Sequence, residues 1–212
     1  MIDAATWGSL ATAIGTLALA VATLAAVRSA NRSARIAEQS MLVAIRPLLL
    51  VSRIQDTEQK VGFVDGHWVH LAGGQGTAEV DDDGVFLTLS LRNVGAGLAL
   101  LHGWSVVRHD PGAIPTAHPA APEEFHRLTR DMYIAAGDVG YWQGAIRDRN
   151  DPDDAWLREG VAARRRIIVD LLYADQDGGQ RAVTRFSLTP GRDGAWVAGS
   201  SRYWPLDRPD PR

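Results

Sequence analysis

The sequence predicts a mainly β protein, an antiparallel β-sandwich of Ig-like architecture, preceded by a long N-terminal transmembrane and juxtamembrane helix. Two observations carry this expectation. Residues 1–27 hold one ionisable side chain, Asp3, while all 22 Lys and Arg residues lie beyond them. From Pro47 onward the apolar pattern changes from helical spacing to alternation, the signature of strands. Averaged over the chain, 46% of residues are hydrophobic, 22% are charged and the net charge is −3, so a disordered chain or a basic nucleic-acid binder is disfavoured. Cysteine is absent, which excludes a disulfide framework, a thiolate metal site and a cysteine nucleophile.

Residues 1–27 are read as the transmembrane helix. Ala4 to Val27 carry no charge, and this stretch exceeds the roughly 20 residues that cross a hydrocarbon core. A cleaved signal peptide would need a basic leader before a shorter apolar run, and MIDAATWGS has no basic side chain. No basic residue precedes the span, whereas Arg28, Arg32 and Arg35 flank it on the C-terminal side, with Arg46 and Arg53 beyond. The positive-inside bias therefore predicts a single-pass protein of the cell membrane, with the N-terminus outside and the C-terminal domain cytoplasmic. Trp7 falls at the outer interface, and the arginines fall where the anionic inner leaflet attracts them.

Residues 28–46 contain no Gly or Pro and extend the helix as a stalk, until Pro47 disfavours helical geometry at Arg46. A stripe of small residues at helical spacing, Ala13, Thr16, Ala20, Thr23, Ala30, Ala34 and Ala37, marks a candidate helix-packing face for a second copy or a partner helix. The competing reading is that an Ala-rich helix offers small residues at nearly any register. Leu10, Ile14, Leu17, Val21 and Leu24 form a second row that suits lipid.

Residues 47–205 are expected to form the sandwich. Eight strand candidates are PLLLVSRI, KVGFVDGHWVHLA, GVFLTLSLRNV, LALLHGWSVVRH, GYWQGAI, RRIIVDLLYAD, QRAVTRFSL and AWVAGSSRYW, separated by Gly, Pro, Asn and Asp clusters. In the third, Val85, Leu87, Leu89 and Leu91 alternate with Phe86, Thr88, Ser90 and Arg92, so one face is apolar and the other wetter. DQDGG is expected to turn a hairpin. A proline-rich insertion occupies the region near 110–130, and DPDDAWLREGVAA predicts a short helix with Asp151 as N-cap and Pro152 at its first position. Residues 206–212 are expected to fray.

No motif carries catalysis. Gly95-Ala96-Gly97 begins like a dinucleotide fingerprint but lacks the third glycine and a following helix, so a tight connection between paired strands, with glycines at positive φ, explains it better. Gly73-Gly74-Gln75-Gly76 has no Lys-Ser/Thr after it and reads as a flexible loop. Asp148, Asn150 and Glu159 sit at EF-hand positions, but Pro152 and Asp153 occupy positions that need an oxygen ligand and a turn glycine. The acids at 81–83 and at 175 and 177 fit turns. Of the six histidines, His67, His70, His102, His109, His118 and His126, the first two point to opposite strand faces and cannot chelate one ion there without a bulge, so zinc is not expected. No nucleophile elbow is present. Arg164 to Arg166 read as a charged strand entrance. Of the domain's six tryptophans, most suit a core, and Trp156, near the short helix, is the candidate interface residue.

Three short motifs then stand out in order: Ala44-Ile45-Arg46-Pro47, Leu91-Arg92-Asn93-Val94-Gly95-Ala96-Gly97-Leu98-Ala99 and Tyr173-Ala174-Asp175-Gln176-Asp177-Gly178. Their arrangement resembles uncharacterised single-pass bacterial membrane proteins with one N-terminal helix and a β-sandwich-like soluble domain. The resemblance implies architecture and no catalytic, cofactor or metal residue. The expected function is a membrane-tethered cytoplasmic interaction module, an adaptor or accessory protein without catalysis. Its partners would be the bilayer and an unidentified protein, with homo-oligomers through the helix and no nucleic acid. A small-ligand sensor or enzyme with a pocket in the β-domain, or an extracytoplasmic domain, is the alternative.

Overall fold

A computed structural model of the chain describes residues 4–110 and 113–208; Met1 to Asp3, residues 111–112 within the insertion and residues 209–212 of the tail lie outside the described residues. The chain divides into two units, Met1–Ala44 and Ile45–Arg212.

The first unit is one continuous helix, α1 (Ala4–Ala44), of 41 residues and about 60 Å at 1.5 Å per residue. It is long and apolar enough to cross a membrane. The hydroxyls of Thr12, Thr16 and Thr23 donate to the carbonyls of Gly8, Thr12 and Leu19 at 2.9, 2.8 and 2.8 Å, so these three hydroxyls are satisfied within the helix. By the 3.6-residue period Arg28, Arg32 and Arg35 share one side, and Ala30, Ala34 and Ala37 lie on the opposite side.

The second unit is built of β1 (Leu49–Val51), β2 (Gln59–Gly62), β3 (Trp68–Leu71), β4 (Gln75–Val80), β5 (Val85–Asn93), β6 (Ala99–Val106), β7 (His126–Ile134), β8 (Val139–Ile146), α2 (Asp154–Ala162), β9 (Ile167–Ala174), β10 (Ala182–Pro190) and β11 (Trp196–Pro205). Nine strands join in one curled antiparallel sheet, ordered β1-β5-β4-β11-β10-β9-β6-β7, with β8 on β5; β2 and β3 form a separate hairpin. The hydrogen bonding is thus one continuous ladder rather than the two ladders of a simple sandwich. Inside the curl lie Leu87, Leu89, Leu91, Trp142, Leu171, Phe186 and Leu188, joined by Leu157 from α2.

Strand β5 organises this sheet, because it pairs with β1, β4 and β8. The face expected to be wetter is also buried. Phe86 sits under Val61, Phe63, Val69 and Leu71 of the β2–β3 hairpin and its turn, while Thr88 and Ser90 pair their hydroxyls with Thr77 at 2.7 Å and Ser52 at 2.6 Å.

Five local expectations are corrected. Gln75 and Gly76 open strand β4 rather than a flexible loop: Gly76 lies where a Cβ would come within 2.4 Å of the Thr88 carbonyl, so glycine permits close pairing with β5. Strand β7, whose Arg and Asp residues mask its alternation, was outside the eight strand candidates. Strands β5 and β6 are not paired with each other, and Gly95 and Gly97 are not at positive φ. Helix α2 starts at Asp154, after a turn in which the Asp151 carboxylate accepts the Asp153 amide at 2.8 Å. Finally, Leu206 and Asp207 are held, by a 2.9 Å backbone bond from Leu206 to the Arg181 carbonyl and a 2.7 Å ion pair between Asp207 and Arg181.

The three sequence motifs meet in space around the start of this unit. Buried Asn93 accepts the amides of Leu48 and Gly95 at 3.1 and 3.0 Å and donates to the carbonyls of Gly97 and Ile134 at 2.6 and 3.0 Å. A Cβ on Gly97 would fall 1.7 Å from the Ile45 carbonyl oxygen, and one on Gly95 2.3 Å from that of Arg46. Close approach of two backbones explains both glycines. The Tyr173 hydroxyl accepts the Leu49 amide at 3.2 Å, and burial pushes it up to about 12, so it stays neutral there. Asp175 orients Gln180, which accepts from Arg46. Residues 45–49 are therefore clasped from three directions.

Candidate functional site

The proline-rich insertion crosses the outside of the sheet and leaves a cleft of about 420 Å³ beneath it. Ser105, Arg108, Thr116, His118, Glu124, Asp153 and Arg185 line it. Its floor is set by a cross-strand ion pair. Arg185 on β10 faces Asp170 on β9, donating from Nε and Nη2 to the two carboxylate oxygens at 2.7 Å each. Both side chains are buried, 3% and 0% exposed, so two bonds in a fork are needed to offset desolvation. Burial pushes the Asp170 carboxyl up, and Arg185 pulls it back. The guanidinium also donates to the carbonyls of Thr116 and His118 and stacks 4.9 Å over Trp204. Arg202 donates to the Ala117 carbonyl at 3.0 Å, and Phe125 buries itself with Leu172, Val183 and Trp204. These bonds order the described part of the insertion.

Beside the cleft, which Asp153 lines, three titratable side chains converge. His126 begins β7, and Asp151 and Asp153 come from the turn before α2. His126 Nε2 lies 3.3 Å from Asp153 Oδ2, and Nδ1 lies 3.9 Å from Asp151 Oδ2. Arg108, just after β6, donates to Asp153 Oδ1 at 2.6 Å. The His126 ring rests on buried Trp104 with centroids 4.7 Å apart. The Asp153 bond, with the Asp151 and Asp153 charges, raises the His126 pKa against its burial; His126 and Arg108 together hold Asp153 low despite desolvation.

This arrangement can hold a proton between carboxylates or bind a cation. Sequence reasoning missed the cluster because 25 residues separate His126 from Asp151. The one local signal is the Asp151-Pro152-Asp153 spacing, which the sequence reading assigns to the start of the short helix and, through Pro152 and Asp153, to a failed EF-hand loop.

The residues singled out in the sequence lie elsewhere. Arg28, Arg32, Arg35 and the small-residue face from Ala13 to Ala37 are exposed on α1. Trp156 is half-buried against the core, 6.0 Å from the His109 ring and under the Arg165 guanidinium. The exposed tryptophan of the β-domain is Trp68, 58% accessible, with Lys60 above its ring. No protein-family model, no curated protein and no solved structure matches the chain.

Proposed function

We propose that this protein is a membrane-tethered cytoplasmic accessory module that works by binding a partner protein rather than by catalysis. The observation that carries the reading is α1: one uninterrupted helix with a stretch long and apolar enough to cross a bilayer, in which the hydroxyls of Thr12, Thr16 and Thr23 are satisfied internally and whose first basic residues follow the uncharged stretch ending at Val27. The reading includes a single-pass topology with the N-terminus outside, a sandwich-like closure of the curled sheet, and kinship with the single-pass bacterial membrane proteins that the three motifs resemble. It also includes association through the face from Ala13 to Ala37. Crosslinking in native membranes is expected to trap a heteromeric adduct; recovery of unpartnered monomer alone contradicts the reading.

A second reading, a small-ligand sensor, is favoured by the cleft, where Arg108, Asp153, Glu124 and Arg185 converge beside an ordered insertion. A panel of phosphate, citrate and nucleotides tested by thermal shift on the full chain checks it. Stabilisation by a member of the panel, lost in Arg108→Ala, supports a ligand site; no shift with any of them opposes one.

A further inference from the structure

We propose that His126, Asp151 and Asp153 form a binding site for a divalent transition-metal ion, with Zn²⁺ the best match to its donors. The inference is independent of the membrane topology and of the partner.

One ligand atom from each residue lies within 4.8 Å of the other two. The chemistry of the surrounding bonds leaves those atoms available. Asp153 Oδ1 is committed to Arg108 at 2.6 Å and Asp151 Oδ1 to the Asp153 amide at 2.8 Å, so each carboxylate is oriented through one oxygen. Both Oδ2 atoms then face the same imidazole. Ligating carboxylates are held in this way, by a hydrogen bond to the oxygen that does not touch the metal. Trp104 fixes the plane of the imidazole from behind.

Zinc donors sit roughly 2.0–2.2 Å from the ion, which places neighbouring donors a little over 3 Å apart. The 3.3 Å separation of His126 Nε2 and Asp153 Oδ2 already meets that requirement. Asp151 Oδ2 lies 3.9 Å from Nδ1, the other ring nitrogen, and completes the set by turning toward Nε2 within the 4.8 Å that already separates the three donors. One nitrogen and two carboxylate oxygens suit a borderline ion, whereas Ca²⁺ and Mg²⁺ prefer an all-oxygen set. Arg108 offsets part of the negative charge, and water or a ligand oxygen would supply the fourth donor of a tetrahedral site; of the three residues, Asp153 also lines the cleft.

The test is calorimetric titration of Zn²⁺ into the chelator-stripped full chain in detergent. We expect one ion per chain, with His126→Ala and Asp151→Asn each weakening binding by about tenfold or more. Asp151→Asn keeps an oxygen to accept the Asp153 amide, so it preserves the turn if His126→Ala unfolds, and thermal unfolding of the metal-free variants identifies which remain folded. His67→Ala removes a different imidazole, beside Glu79 and Asp81, and is expected to leave the affinity unchanged. The proposal is overturned if the wild-type chain takes up no Zn²⁺ at submillimolar concentration, if a folded Asp151→Asn variant binds as the wild type does, or if His67→Ala is the variant that loses the ion.

Discussion

At the scale of single residues, Asn93 does the work of a cross-link. Its amide satisfies two backbone N–H groups and two carbonyls in a space water does not reach. Asn93→Ala strips partners from all four, and a loss on the order of 3 kcal/mol is expected in chemical unfolding. Gly97→Ala is expected to impair folding more than an alanine at Gly179, because only at Gly97 does the new Cβ strike a fixed backbone. Arg164 is a different case. It occupies the left-handed region at φ 49° after α2, where glycine is usual, and its guanidinium stacks 4.9 Å over Trp196 and donates to the Ala195 carbonyl at 3.1 Å. Arg164→Ala keeps the backbone strain and loses those contacts, costing about 1–2 kcal/mol, whereas Arg164→Gly relieves the strain and should cost less. Thermal unfolding of the two variants separates these effects. None of this was legible from residue types alone: the Asn-x-Gly-x-Gly pattern announced a turn, but its reason, the approach of residues 45–48, is a contact across more than 40 positions.

At the scale of elements, the legible strands were those with β-branched and aromatic runs, such as β5, β9 and β10. The missed ones, β4 and β7, were disguised by glycine and by charge, since an edge strand carries Arg and Asp that a buried strand does not. Short helix α2 was visible from its acids and proline, although its start moved from the expected position into Asp154. It contributes Leu157 to the core, fully buried, so Leu157→Ala is expected to cost 2–5 kcal/mol, roughly, in denaturant unfolding without altering the sheet. The C-terminal clasp is a pH-dependent element. Arg181 holds the Asp207 carboxyl below the usual carboxylate range. Because the folded pKa is depressed, its stabilisation is present above the unfolded carboxylate pKa and disappears as pH falls through the lower folded value. The protection factor of the Leu206 amide, its exchange relative to the intrinsic rate at each pH, is therefore expected to fall under acid conditions in the wild type, and Asp207→Asn should remove that dependence while lowering protection at neutral pH.

At the scale of the whole molecule, composition marks off an uncharged stretch ending at Val27 and the change of period at Pro47 marks the β-domain; the structure divides the chain between Ala44 and Ile45. The mainly β class followed from alternation, but the continuous curl did not, because alternation fixes which face of a strand is apolar and says nothing about which strands pair. The same limit hid the His126, Asp151 and Asp153 group: its members approach only because β7 and the turn before α2 meet beside Arg108. Three motifs with no catalytic chemistry instead meet at residues 45–49, where the β unit begins.

The central claim, a membrane tether with the β-domain on the cytoplasmic side, is tested most directly by single-cysteine accessibility, since the chain has no cysteine of its own. With an impermeant maleimide on intact cells, Asp3→Cys should be labelled, and Thr57→Cys, at an exposed position of the domain, should be labelled only after lysis. Labelling of Thr57→Cys in intact cells, or recovery of the chain in the soluble fraction after an alkaline wash, would contradict the account.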